Sequence, residues 1–282
     1  MIEGGWHEDR HIPIYLCESS HIKYYKVIGH TVLAQKHGYR HEAAVPDFIE
    51  SHHYQLRSKP KTSAKIVRNR AFVAICKFGT CETSSLNEIS RWVLSGQGDA
   101  SMVPKCELAV ASGVPSGLSL REKPIHIGFG STPAGLTTVT RESAASDQFI
   151  GLHVDDWSHR KIEHLSRNTL RFCVNLGVQS RRFFFSPLDI FEMKEFLSSR
   201  VSSIENKSMT SIGLEFLKLF PEHPLVQCTI PPGYAYIAPT ELTLHDASTL
   251  AMTQNDVCYT ALLNVEAFEH SQIVGVTPTQ ES

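Results

Sequence analysis

His153 and Asp155 are separated by a single residue, and a second histidine, His245, stands far downstream in Leu242-Thr243-Leu244-His245-Asp246. On a strand, residues two apart point the same way, so the first imidazole and the carboxylate would converge. A second imidazole from a distant strand completes one face of an octahedron and leaves adjacent positions open for a bidentate co-substrate and dioxygen. Two imidazoles and one carboxylate suit ferrous iron, whereas zinc is more often held by four ligands or by a set richer in Cys. Asp156 should point away on a strand and is the poorer ligand. Trp157 is a candidate for orienting the ligands by packing or hydrogen bonding; Asp246 fits that role and a turn role equally.

Two flanking segments must position these groups. From Thr169 to Gly177, Leu170, Phe172, Val174 and Leu176 form one apolar face while Arg171, Cys173 and Asn175 share the other. Pro231-Pro232-Gly233-Tyr234-Ala235-Tyr236-Ile237-Ala238-Pro239 reads as a Pro-Gly turn leading into a β-rich run, with His245 just beyond it.

Gly151-Leu152-His153-Val154-Asp155-Asp156-Trp157, Asn175-Leu176-Gly177 with Arg181-Arg182 behind it, and the Pro-Gly to His245 segment together resemble the Fe(II)/2-oxoglutarate-dependent dioxygenase superfamily, in its small-molecule-modifying branches. The resemblance covers about residues 150 to 265. It implies a mainly β (α+β) chain with helical decoration around a double-stranded β-helix of the jelly-roll, cupin-like kind. It also implies His153, Asp155 and His245 as ligands of Fe(II), and 2-oxoglutarate and O2 as co-substrates. The reaction it implies is oxidation of a small molecule, hydroxylation first, with release of succinate and CO2. The retained Asp155 argues against halogenation, which replaces that carboxylate with a small residue.

The chain departs from the pattern in one respect. Many members carry an arginine shortly after the distal His to pair with the far carboxylate of 2-oxoglutarate, yet residues 246 to 265 contain neither Arg nor Lys. Other branches place a basic residue on the strand after H-x-D, and Arg171 stands there. A planar guanidinium receives a carboxylate through two parallel hydrogen bonds. Asn175 and Arg182 are the further co-substrate candidates; Arg181 and Arg182 are adjacent, so on a strand at most one faces the site. An edge-strand Arg171 in a surface ion pair, an iron oxygenase of the same fold that dispenses with 2-oxoglutarate, and a non-catalytic β-barrel binding protein are the alternatives.

Composition bounds the rest. Twenty-seven basic against 29 acidic residues leave a formal charge of -2, and the local basic run from Arg57 to Arg70 reads as a solvated loop and strand edge, so nucleic acid is not an expected partner. No apolar run approaches the length that spans a bilayer, and the N-terminus is acidic and polar, so a cytoplasmic enzyme without membrane attachment is expected. Seven scattered cysteines without a C-x-x-C pair indicate buried thiols rather than disulfides or a zinc knuckle.

A single catalytic domain over residues 1–282 is expected, with 1–95 as a helical and extended support layer, 96–150 as substrate-side loops and strands, and 151–265 as the metal-binding β-helix core. The spacing of Ile22, Tyr25, Ile28, Val32 and Leu33 predicts a helix over 22–39 whose histidines, His30, His37 and His41 among them, are too irregular for a metal cluster. Residues 71–78 read as a buried strand, and a helix follows from Ser85 to about Ser95. Residues 96–145 read as a lid with one strand at 124–129; Arg121, His126 and Arg141 are its candidates for contacting an acidic substrate. Ser186-Pro187-Leu188-Asp189 reads as a helix start, giving a helical insertion over about 186–220 between the ligand-bearing halves.

Overall fold

The alternation of apolar and polar residues along 169–176 is resolved by burial on both sides of one strand. In the computed structural model, Leu170, Phe172, Val174 and Leu176 enter one apolar cluster while Cys173 enters another. The structure describes residues 12–16, 23–28, 31–34, 38–47, 54–59, 71–78, 83–95, 104, 118–143, 146–157, 162–166, 168–201, 204–268 and 272–278.

The described chain is mainly β, with antiparallel pairing throughout its named strands. The larger sheet is built from β6 (Ala74–Lys77), β7 (Leu118–Leu120), β8 (Ile125–Thr132), β9 (Thr169–Asn175), β12 (Tyr234–Ala238) and β14 (Asp256–Phe268). Its order is β6-β12-β9-β14, with β8 and β7 sharing the far edge of the long β14. The smaller sheet runs β13 (Thr243–Ser248), β10 (Arg181–Asp189), β11 (Leu225–Ile230) and β2 (Tyr25–Ile28). The strands β1 (Ile12–Leu16), β15 (Gln272–Pro278) and β5 (Tyr54–Lys59) form a third sheet, and β3 (Thr31–Leu33) pairs with β4 (Ala44–Pro46).

From β8 onward the chain passes back and forth between the two main sheets, remaining in the smaller one for β10 and β11. β8 lies in the larger; His153 pairs with β13 of the smaller; β9 returns to the larger, β10 and β11 lie in the smaller, β12 in the larger, β13 in the smaller and β14 in the larger.

Three apolar layers follow from the period of two. Helix α1 (Thr83–Ser95) covers the outer face of the larger sheet, where Ile89 joins Phe172, Val174 and Ile237, with Trp92 and Val93 beside them. Helices α2 (Ile190–Ser198) and α3 (Met209–Leu219) cover the outer face of the smaller sheet, packing on Phe184, Leu188 and Leu244. Val73, Ile75, Cys173, Phe183, Phe185, Val226 and Tyr236 fill a layer drawn from both sheets. Burying side chains of this size stabilises the fold by about 1.5–3 kcal/mol each.

Three expectations need correction. Residues 25–28 and 31–33 are strands rather than part of a 22–39 helix. Their β-branched Val27, Ile28, Thr31 and Val32 fit a pleated surface, and β11 supplies the partner edge for β2. His41 is exposed, while His30 and His37 fall outside the described residues.

The helix expected at Ser186 begins later. β10 continues to Asp189, which is the N-cap of α2 and forms a capping box with Glu192, a feature worth about 1 kcal/mol. Pro187 is tolerated because the register with β13 shifts between Phe185 and Asp189, where a missing ladder donor costs little.

The strand expected in the lid is larger and integral. β8 extends to Thr132 and pairs with β14 from Asp256 to Leu262, so that part of 96–150 belongs to a sheet. Much of the remainder, 96–103 and 105–117, lies outside the described residues.

Candidate metal centre

His153, Asp155 and His245 converge. One potential ligand atom from each lies within 4.8 Å of the others, and all three residues are buried. The histidines face each other across a β-bridge: His153 N donates to His245 O at 3.1 Å and His245 N donates to His153 O at 2.8 Å.

The ring hydrogen bonds define which nitrogens are available. His153 Nδ1 lies 3.0 Å from Gly151 O and His245 Nδ1 lies 2.8 Å from Thr243 O. A carbonyl only accepts, so each Nδ1 carries a proton, and in the neutral ring Nε2 presents its lone pair. Both Nε2 atoms are buried without a hydrogen-bond partner. They lie 3.4 Å and 3.6 Å from Asp155 Oδ1 and Oδ2 respectively. Two orphaned imidazole nitrogens beside one carboxylate fit a divalent cation, which would satisfy all three at once.

The segment carrying His153 and Asp155 is fixed by its own backbone. Leu152 N donates to Ala44 O, His153 N to His245 O, Val154 N to Thr210 Oγ1 and Asp155 N to Thr240 O, all between 2.8 and 3.1 Å. Thr210 Oγ1 also donates to Val154 O at 3.2 Å, so the first turn of α3 is joined to the H-x-D segment. Farther along α3, Gly213 meets Leu244: a Cβ at 213 would lie 2.6 Å from the leucine side chain. One helix therefore braces both histidine-bearing segments. Gly151 has φ +70°, and a Cβ there would collide with the Ala44 carbonyl.

Two donors fix Asp155. Trp157 Nε1 donates to Oδ2 at 2.7 Å and Arg171 Nη1 to the same oxygen at 3.1 Å, with the guanidinium 5.5 Å from the Trp157 ring centre. Burial works against the ionised carboxyl, but Arg171 foremost, then the two histidines, hold Asp155 well below its ordinary range. Burial dominates at His245 and pushes it down to about 3. At His153 burial is outweighed by the neighbouring Asp155 and Asp246 carboxylates, which raise it.

Asp246 is buried behind the first histidine, its Oδ2 4.0 Å from His153 Nδ1. Its Oδ1 accepts from Thr140 Oγ1 at 2.9 Å and Ala247 N at 2.7 Å. Burial raises this carboxyl above its ordinary range.

The remaining sequence candidates divide. Arg171 adjoins the centre, half-buried, with its Nε buried and unpartnered. Asn175 does not serve the site: its Nδ2 donates to Gln179 O and Ile230 O, and its Oδ1 accepts from Gly177 N. With both donors and one oxygen used on loop backbone, it holds together the chain ends at β9, β10 and β11.

Arg182 lies on the face of β10 opposite to Phe183 and Phe185, the latter paired with His245. That places it on the outer side, where after burial its charge is a cause of the lowered Lys26. Arg181 takes the inward side, buried and paired with Asp256 at 3.2 Å. His126 stacks on Tyr259, and Arg141 lies over Phe149, so neither is brought to the triad.

Thr210 was not legible as a site residue, since a threonine in the first turn of a distant helix carries no motif. Gly151 carried a usable signal, a glycine immediately before the H-x-D strand. No helix among the described residues is long and apolar enough to cross a membrane. No family model and no curated protein matches this chain.

Proposed function

We propose that the chain is a non-haem Fe(II)/2-oxoglutarate-dependent oxygenase that hydroxylates a small molecule, with His153, Asp155 and His245 as the iron ligands. The observation that carries this reading is the pair of buried, unpartnered Nε2 atoms facing one carboxylate. The passage of β8 to β14 back and forth between two antiparallel sheets supports it, as a double-stranded β-helix would require.

A ferrous ion chelated by the keto acid would supply the oxidising chemistry, converting 2-oxoglutarate, O2 and substrate into succinate, CO2 and hydroxylated product. The protein's residues aim and hold. Nδ1 bonds to Gly151 O and Thr243 O keep both imidazoles in the ligating tautomer. Trp157 and Arg171 occupy Asp155 Oδ2 and leave Oδ1 on the His153 side. The unpartnered Nε of Arg171 is the donor from which a co-substrate carboxylate would be received. Phe183, stacked on Tyr236 and 5.5 Å from the His245 ring centre, backs the centre with apolar surface that limits water.

Anaerobic absorption of the Fe(II)-loaded protein tests this reading. A weak visible charge-transfer band appearing with 2-oxoglutarate, weakened in Arg171→Ala and restored at high co-substrate, is the expected result. Iron binding without a band at any co-substrate concentration would instead favour an iron oxygenase of the same fold that does not use 2-oxoglutarate. One observation already leans toward that second reading: Arg171 Nη1 is engaged by Asp155.

A further inference from the structure

A second group of reactive side chains lies on the inward faces of β9, β10 and β14, and ligation does not use it. Cys173 is buried two residues beyond Arg171 on β9. Its Sγ accepts from Arg181 Nη1 at 3.2 Å and from Thr260 Oγ1 at 3.7 Å. Arg181 is in turn paired through Nη2 with Asp256 Oδ2 at 3.2 Å.

Cys258 is the diagonal neighbour of Cys173 across the β9–β14 pair, since Cys173 stands opposite Thr260 and Cys258 opposite Asn175. The two side chains therefore share one face of the sheet as diagonal neighbours, and the Cys258 thiol is foremost among the groups that lower Cys173. Cys258 is the less enclosed of the two. Opposite it on β8 stands Gly130, where a Cβ would lie 3.3 Å from Cys258 Sγ.

We propose that Cys173 and Cys258 form a peroxide-oxidisable thiol couple, with Cys173 as the attacking sulfur and Cys258 as the resolving one. Arg181 and Thr260 donate to Cys173; against its burial, the Cys258 thiol first, then the Arg181 and Arg171 charges and the Thr260 hydroxyl, hold it well below the usual thiol range. The thiolate is the form that attacks peroxide. Burial alone pushes Cys228 the other way, well above the ordinary value, which makes it an internal reference.

The step balances with hydrogen peroxide as oxidant. The Cys173 thiolate attacks one peroxide oxygen, the O–O bond breaks, and hydroxide leaves with a sulfenic acid formed on Cys173. The Cys258 sulfur then displaces that hydroxyl, forming the S–S bond, and its proton accompanies the departing water. The two sulfurs are oxidised by two electrons in total, and one peroxide is reduced to one water and one hydroxide, which becomes a second water by taking up the proton lost when the Cys173 thiolate formed. The disulfide removes the anionic sulfur between Arg171 and Arg181, so oxidation alters the surroundings of the residue that bonds Asp155. The couple rests on its own geometry, whatever metal the triad holds.

The test is timed hydrogen peroxide treatment of the full chain, kept free of iron by a chelator, followed by N-ethylmaleimide quenching and peptide mass mapping. A Cys173–Cys258 disulfide should form at least about tenfold faster than Cys228 loses its thiol. In Cys258→Ser, dimedone should trap a sulfenic acid on Cys173. Persistence of the Cys173 thiol for as long as that of Cys228 overturns the proposal. So does direct passage of Cys173 to sulfinic acid in the wild-type chain without a disulfide. If Cys258→Ser fails to fold, as judged by circular dichroism, the wild-type time course decides alone.

Discussion

His153 and His245 exchange both backbone hydrogen bonds, and their rings stand 4.6 Å apart. The two histidine-bearing segments are therefore one structural unit: the bridge that orients the first imidazole also orients the second. Ligand substitution should act on metal retention far more than on the fold. His245→Ala and Asp155→Ala should each lower bound metal to a small fraction of wild type while leaving the far-ultraviolet spectrum unchanged, which elemental analysis and circular dichroism would check.

Thr210→Val removes both hydrogen bonds between α3 and Val154 while keeping the side-chain shape. Leaving the Val154 amide unpaired should cost about 1–3 kcal/mol. The variant should melt lower and release metal faster than wild type; equal metal off-rates would remove α3 from the account of the site.

Gly151→Ala introduces a Cβ at φ +70° against the Ala44 carbonyl. Strain of this kind costs at least about 1 kcal/mol. Because Gly151 O receives His153 Nδ1, the loss should show in metal affinity as well as in thermal midpoint.

Asn175→Ala should destabilise the protein without changing its affinity for co-substrate. The substitution strands Gly177 N and two carbonyls that the amide now satisfies. A lowered Tm with an unaltered 2-oxoglutarate titration is expected; a titration shifted severalfold at full stability would return Asn175 to the binding site.

Acidity should act oppositely on the two histidines. His153 has a folded value above its ordinary 6.5, so its protonated form stabilises the metal-free fold below 6.5, a contribution lost as pH rises through the raised value. His245, pushed to about 3, contributes stability that is present above 6.5 and lost as pH falls toward 3. Metal must displace the His153 proton but finds His245 already neutral. Binding near neutral pH should release up to one proton per metal, measurable by calorimetry in two buffers of different ionisation enthalpy.

The convergence of His153 and Asp155 was legible because residues two apart on an extended segment point the same way, and the inward side of Arg171 followed from the apolar Leu170, Phe172, Val174 and Leu176 that alternate with it. Asn175 shared that inward face, yet only tertiary contacts reveal that its amide is spent on the Gln179 and Ile230 carbonyls. Arg182 was misjudged because two adjacent arginines have no intrinsic order; the pairing of Phe185 with His245 decides which side is inward. The strands at 25–28 and 31–33 imitated helical spacing, and the edge of β11, invisible in local sequence, selected the extended form.

Anaerobic titration of metal-free protein with Fe(II), followed by equilibrium dialysis, tests the central claim most directly. One ion should bind per chain and raise the Tm by mass action, and binding should vanish in His153→Ala and His245→Ala variants that keep the wild-type fold. Undiminished binding in those variants, or no binding by the wild-type chain, would contradict a metal centre at His153, Asp155 and His245.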